Sequence, residues 1–264
     1  MTTAIPLIVV GARGRMGVLM GTLADRGEEF VPCAGIEAAG HPGTGQPWFD
    51  GATVTVTDHW PEEIPQNAVA ICVVTGGAVE AHALEAATHK VPLVVGSTAM
   101  TSEDRKALRK ASRSVPVLVA SNFSLGVTLL SALVEQAAKS LPVLYDIEIT
   151  EMHHRNKIDA PSGTAIALGK AAATGREVNF DDVAVYDRHG SEEARQPGQI
   201  GMTALRGGGV VGDHSVLFAG DEEVLTLSHR AHSREVFVRG AFKAAAWIVD
   251  KRPGLYTMRD VLGV

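Results

Sequence analysis

Residues 151–165 read Glu-Met-His-His-Arg-Asn-Lys-Ile-Asp-Ala-Pro-Ser-Gly-Thr-Ala, which puts two imidazoles, a fixed cation and a helix-opening turn in one short segment. His153 and His154 supply acid/base groups, and Lys157 adds a point charge. Pro161-Ser162-Gly163-Thr164 leads into an apolar run through Ala173, so it reads as a loop turning into a helix whose first N–H groups can hold a carboxylate or phosphate. A proton donor therefore lies beside an anion receptor. Taken singly the parts are ordinary: either histidine could be a scaffold residue, Lys157 a surface cation or an imine-forming lysine, and the turn a plain helix cap. No metal is expected, because adjacent residues of an extended chain point to opposite faces and no further His or Cys cluster completes a ligand set. Glu151 and Asp159 read as partners that orient Lys157 or the turn.

A second constellation is Gly11-Ala12-Arg13-Gly14-Arg15-Met16-Gly17, directly after the first strand-like run and opening a helical one. Glycines so placed let a dinucleotide pyrophosphate approach the backbone. The spacing departs from G-x-G-x-x-G by putting Arg13 at the middle glycine, and a bare strand-to-helix turn is the competing reading. Glu37, twenty residues past Gly17, falls where a carboxylate would bind the adenosine ribose hydroxyls. It repels a 2′-phosphate and is followed by Ala38 and Ala39, so NADH is preferred, with NADPH still possible through Arg13 or Arg15. Gly96-Ser97-Thr98 and Ala120-Ser121-Asn122-Phe123 end later strands, at the edge where open α/β sheets bind ligands.

These residues need a frame. From residue 5 to about 121, strands expected at 7–10, 31–37, 54–56, 70–74, 93–95 and 117–120 alternate with helices at 16–27, 79–90 and 102–114, the last opened by Thr101, Ser102 and Asp104. Most of these strands are continuously apolar, which predicts an α/β chain with an N-terminal Rossmann-type doubly wound parallel sheet. A helix at 127–140 then precedes residues 143–150, where apolar and polar residues alternate; further strands are expected at 183–187, 200–205, 215–219 and 224–229, with Arg206-Gly207-Gly208-Gly209 as a mobile connection. That pattern predicts a second, α+β domain on a mixed open sheet. An apolar helix at 236–249 is expected to return to the first domain. Residues 1–124 with 234–264 would form the dinucleotide-binding domain, and 125–233 the substrate-binding and oligomerisation domain.

With 264 residues, 45 % of them hydrophobic, the chain can bury a substantial core. A net charge of −6 without a basic block argues against a nucleic-acid partner. No apolar stretch approaches the roughly 20 residues that cross a bilayer, and Met1-Thr2-Thr3-Ala4 lacks a signal-peptide head, so no membrane partner and a cytoplasmic location are expected. Cys33 and Cys72 fall in strand-like runs and read as buried thiols.

The order of a Rossmann-like domain, a connection and E-x-H-H-x-x-K-x-D-x-P-S-G-T-A resembles the dihydrodipicolinate reductase family. The likeness extends over Gly11 to Gly17, Gly96-Ser97-Thr98, Asn122-Phe123, Pro197-Gly198-Gln199-Ile200-Gly201 and Val211-Gly212-Asp213-His214. It implies reduction of 4-hydroxy-tetrahydrodipicolinate, a cyclic dicarboxylate imine, to tetrahydrodipicolinate on the route to diaminopimelate and lysine. It also implies that His153 is the acid and Lys157 the catalytic cation, that His154, Ser162, Gly163 and Thr164 grip the substrate, and that the chain is a homotetramer through the second domain's sheet. The chemistry is consistent: hydride addition to a conjugated ring C=C–C=N leaves an enamine that must take a proton at carbon. Departures are Ala38 where many members carry Arg, Thr75-Gly76-Gly77 where many have Pro, and Ser97 for Thr. The alternatives are another two-domain dehydrogenase of a small sugar or amino acid, and a non-catalytic NADH-responsive regulator.

Overall fold

Six residues, Ile-Pro-Leu-Ile-Val-Val, form β1 (Ile5–Val10), whose last four side chains are wholly buried because the strand is covered on both faces. The computed structural model describes residues 4–97 and 99–264. It divides into two units, one ending at Phe123 and resumed by Phe237–Gly263, the other Ser124–Val236. In the first, β1 is followed by α1 (Arg15–Arg26), β2 (Phe30–Ile36), β3 (Val56–Thr57), β4 (Val69–Cys72), α2 (Val79–His89), β5 (Leu93–Val95), α3 (Ser102–Ala111) and β6 (Pro116–Val119). Thr101 caps α3 reciprocally with Asp104, as the sequence implies.

The second unit holds α4 (Leu125–Ser140), β7 (Asp146–His153), α5 (Gly163–Gly175), α6 (Phe180–Val183), β8 (Ala184–Val185), β9 (Ile200–Arg206), β10 (Gly212–Ala219) and β11 (Val224–Ala231). Its sheet runs β11-β10-β7-β9-β8, with β7, β9 and β8 parallel and β10 antiparallel to both neighbours. Ile147, Ile149, Ile200, Met202, Val216 and Phe218 pack with Leu168 and Val134 into one core on the helix-covered face. The opposite face carries Thr150, Met152, Thr203, Leu205 and Leu217 and is not covered by a helix of this unit.

The chain then returns to the first unit through α7 (Glu235–Ile248), β12 (Gly254–Tyr256) and α8 (Met258–Leu262). Phe242 of α7 packs on Phe30, and Gly240 sits so close to Phe123 that a Cβ there would lie 1.8 Å from its carbonyl oxygen. The parallel sheet is ordered β12-β6-β5-β4-β1-β2-β3. The chain runs outward from β1 on one side and from β4 on the other, so the carboxyl ends of these two adjacent strands form a topological switch point.

Several boundaries differ from the sequence reading, with a common cause. β7 continues past 150 to His153 and β9 to Arg206, while β10 begins at Gly212, because polar side chains occupy core-facing positions at one end of the sheet. The expected strand at 183–187 is the short α6 followed by the two residues of β8. β12 and α8 are too short to leave a periodic signal.

Candidate active site

Along β7 the core-facing side chains are Ile147, Ile149, Glu151 and His153, so the strand carries its own alternation from apolar to ionisable groups. Register supplies the neighbours: Glu151 is opposite His214 on β10, His214 is opposite His229 on β11, and His153 is opposite Arg206 on β9. Glu151, 2 % exposed, is the hub. Its Oε2 lies 2.6 Å from His153 Nδ1, the Arg206 guanidinium donates to both its oxygens at 2.9 Å, and the Ser162 N–H donates to Oε1 at 3.0 Å. Burial opposes ionisation of Glu151, but Arg206, His153 and the Ser162 N–H more than offset it and hold the carboxyl below its ordinary range. An ionised carboxylate only accepts, so Nδ1 of His153 carries a hydrogen. Nε2 faces Gly212, where an added Cβ would lie 3.0 Å away.

His214 stands edge-on to His153, ring centroids 5.1 Å apart, with Nε2 3.0 Å from Ser162 Oγ. Burial and then the His153 charge push its pKa down to about 4, so it is neutral near pH 7. Arg206 also donates to the Lys157 and Asp159 carbonyls, while the Gly207 N–H donates to the His153 carbonyl and the Arg155 N–H to the Gly208 carbonyl, fixing the turn after β7. Lys157 Nζ lies 2.8 Å from Asp159, whose carboxyl is held low by that bond. His154 is half-buried one residue beyond β7.

Ser162 has three partners within the protein. Its Oγ caps α5 by accepting the Ala165 N–H at 3.2 Å and also meets His214, while its N–H is engaged by Glu151. Ser162 therefore joins the helix start to the Glu151 hub. Gly163 is exposed with open space where a Cβ would be, and as the first residue of α5 its N–H has no intrahelical acceptor; Thr164, half-buried, follows it.

The glycine turn forms its own cluster in the first unit. Gly11 adopts φ +86°, a left-handed conformation that favours glycine, and a Cβ on Gly17 would lie 2.1 Å from the Gly11 carbonyl oxygen. Gly14 caps α1 without a side chain, so the helix start around exposed Arg15 and half-buried Met16 presents uncapped N–H groups. Glu37 Oε1 accepts the Arg13 N–H at 2.6 Å. The Arg13 guanidinium, expected as a possible phosphate ligand, instead donates to the Pro47 and Trp48 carbonyls at 3.0 and 3.1 Å. Gly96 accommodates the Phe123 ring, 2.3 Å from an added Cβ, and the Ala120 N–H continues the sheet onto Val95. Ser121 is exposed and Asn122 half-buried beside them. Ser97 Oγ is buried with no hydrogen-bond partner among the described residues, and Thr98 lies outside those residues. An uncapped helix start, a glycine-only turn and an orphaned hydroxyl at the carboxyl edge fit a dinucleotide.

Sequence reasoning missed Arg206 and His214 as members of the imidazole cluster, and Asp104 as more than a cap. The Asp104 carboxylate, fully buried, accepts the N–H groups of Gly77, Thr101 and Glu80 at 2.7, 2.9 and 3.0 Å, tying the loops after β4 and β5 together. Only the pairing of strands and loops, absent from local pattern, reveals these roles.

The family model "Dihydrodipicolinate reductase, N-terminus" matches residues 5–123, and "Dihydrodipicolinate reductase, C-terminus" matches residues 126–262. A 4-hydroxy-tetrahydrodipicolinate reductase of Parvibaculum lavamentivorans is 43 % identical over 274 residues, covering 100 % of both chains, and one of Brucella abortus is 44 % identical, covering 98 % of both. Among solved structures, a dipicolinate-bound dihydrodipicolinate reductase from Paenisporosarcina sp. TG-14 matches with TM-score 0.72 over 96 % of this chain and 97 % of its own, at 22 % identity, a likeness of fold.

Proposed function

The chain belongs to the dihydrodipicolinate reductase family, and on that premise we propose how its residues divide the work of reducing 4-hydroxy-tetrahydrodipicolinate to tetrahydrodipicolinate on the diaminopimelate and lysine route. It is a nicotinamide-dependent oxidoreductase. His153 donates from Nε2 the proton that the ring carbon needs after reduction. Glu151 keeps that imidazole in the tautomer with Nδ1–H, and Arg206 keeps Glu151 ionised. Lys157 releases Asp159 to meet a substrate carboxylate, while His154 and the helix start at Gly163 and Thr164 hold the other. Ser162 and His214 position that helix start. The bound nicotinamide supplies the hydride.

The observation that carries this reading is the 2.6 Å contact between His153 Nδ1 and a buried carboxylate itself locked by Arg206. Gly11, Gly14, Arg15, Met16, Gly17, Glu37, Gly96, Ser97, Ala120, Ser121, Asn122 and Phe123 line the cofactor site. NADH is preferred over NADPH, because Glu37 is followed by exposed Ala38 and Ala39, which leave a 2′-phosphate next to a carboxylate without a cation. The uncovered face of the five-stranded sheet, with exposed Leu205 and Val224, supports assembly into a homotetramer. Free Cys33 and Cys72 suit the reducing cytoplasm.

The test generates the unstable substrate in situ from pyruvate and aspartate semialdehyde with its synthase, and follows NADH and NADPH oxidation with and without this protein. Acceleration, greater with NADH, is expected. No acceleration with either cofactor would sink the reading.

A further inference from the structure

Between β2 and β3 the chain leaves the sheet for residues 37–55 and folds back against the glycine turn. Two bonds close the excursion on itself, Val56 N–H to the Gln46 carbonyl and Trp48 N–H to the Val54 carbonyl, both at 2.9 Å. Trp48 at its centre is 0 % exposed. Its ring lies against Gly35 and Gly21, where added Cβ atoms would approach it to 3.0 and 2.8 Å. Its indole N–H donates to the Ala12 carbonyl at 3.0 Å and the Gly17 carbonyl at 3.2 Å, so one donor spans the turn from its second residue to its last. Arg13 is held at both ends. Its N–H is on Glu37, and its guanidinium is on the carbonyls of Pro47 and Trp48, with Gly43 giving the side chain room.

We infer that Trp48 and Arg13 are positioning residues for the dinucleotide: they clamp the glycine turn to the 37–55 excursion, and commit the Arg13 cation to protein carbonyls instead of a cofactor phosphate. The inference rests on the dinucleotide site proposed above. Its consequence is specific. A cation spent on two carbonyls supports NADH and NADPH alike, so loss of Arg13 weakens both by one factor. A cation spent on a 2′-phosphate would be missed by NADPH alone.

The experiment measures NADH and NADPH dissociation constants by calorimetry on the full chain and on W48F, R13A, R13K and E37A, with melting temperatures and the split between KM and kcat. Trp48→Phe keeps an aromatic ring and removes the N–H. Both W48F and R13A are expected to weaken the two cofactors equally, by about tenfold as for lost side-chain donors, raising KM more than they lower kcat; R13K should restore part of the loss. A melting temperature that falls while both dissociation constants stay put would make the clamp merely structural and overturn the inference. So would a selective loss of NADPH in R13A. If W48F does not fold, R13A decides alone. E37A separates the two readings: no weakening of NADH there removes the dinucleotide site itself, whereas weakening in E37A without weakening in W48F and R13A removes only the clamp.

Discussion

The glycine turn of the first unit is made by seven consecutive residues plus Glu37, whereas the Glu151–His153 pair of the second is assembled from three strands and a helix start. The first cluster works mainly through backbone groups. Its glycines remove side chains, and the side chains that meet the turn, Glu37 and Trp48, do so on its backbone N–H and carbonyl groups. The second works through buried ionisable side chains, each held by another: Arg206 on Glu151, Glu151 on His153, His214 on Ser162. A backbone site tolerates substitution of its polar partners with a loss of affinity. A buried charge network does not, because removing one member strands the next without compensation.

The largest expected effect breaks the network. Arg206→Met leaves Glu151 buried beside a single imidazole and should cost about 3 to 5 kcal/mol of stability, read as a fall in melting temperature and denaturant midpoint. A loss no greater than that of an exposed arginine would mean Arg206 is peripheral. In the first unit, Glu37→Ala should weaken NADH by about tenfold, the size of a lost hydrogen bond to a charged group, without hurting NADPH comparably. A variant that binds NADH as before would remove Glu37 from the ribose. Ala38→Arg should improve NADPH binding by a few-fold by offering a cation to the 2′-phosphate. Unchanged NADPH affinity would place that phosphate elsewhere.

The smallest effect is a slope. His214 has its pKa lowered to about 4 from 6.5 in the folded chain, so between those values the unfolded chain binds a proton that the folded one does not. Its contribution to stability is complete above pH 6.5 and is lost as pH falls toward 4. Stability measured across that window should rise with pH in the natural chain and rise less steeply in His214→Gln. Parallel slopes would show that His214 does not resist protonation.

The same contrast explains what the sequence could reveal. The glycine turn and Glu37 are legible because their spacing is local and each residue answers a backbone need. The signature at 151–165 is legible as a list of types, but its division of labour is not. Glu151 and His153 continue the core-facing phase of β7, where a pattern search expects apolar residues and so ends the strand at 150. Arg206, followed by three glycines, looks like the start of a mobile loop, although it ends β9 and anchors the turn after β7. Ser162 looks like a ligand-facing hydroxyl until His214, fifty-two residues later, comes within 3.0 Å of it. Trp48 carries no sequence signal at all, since its partners are the carbonyls of Ala12 and Gly17. In each case the missing information is long-range pairing, which determines who faces whom.

The central claim is that His153 gives the proton while His154 only holds the substrate, and the most direct measurement sets His153→Gln beside His154→Gln in the coupled assay. His153→Gln should lower kcat by about a hundredfold or more, the loss typical of a missing general acid, with NADH affinity by calorimetry intact. His154→Gln should raise the substrate KM and leave most of kcat. A His153→Gln enzyme that retains natural turnover, or a His154→Gln enzyme that loses it, would contradict the account.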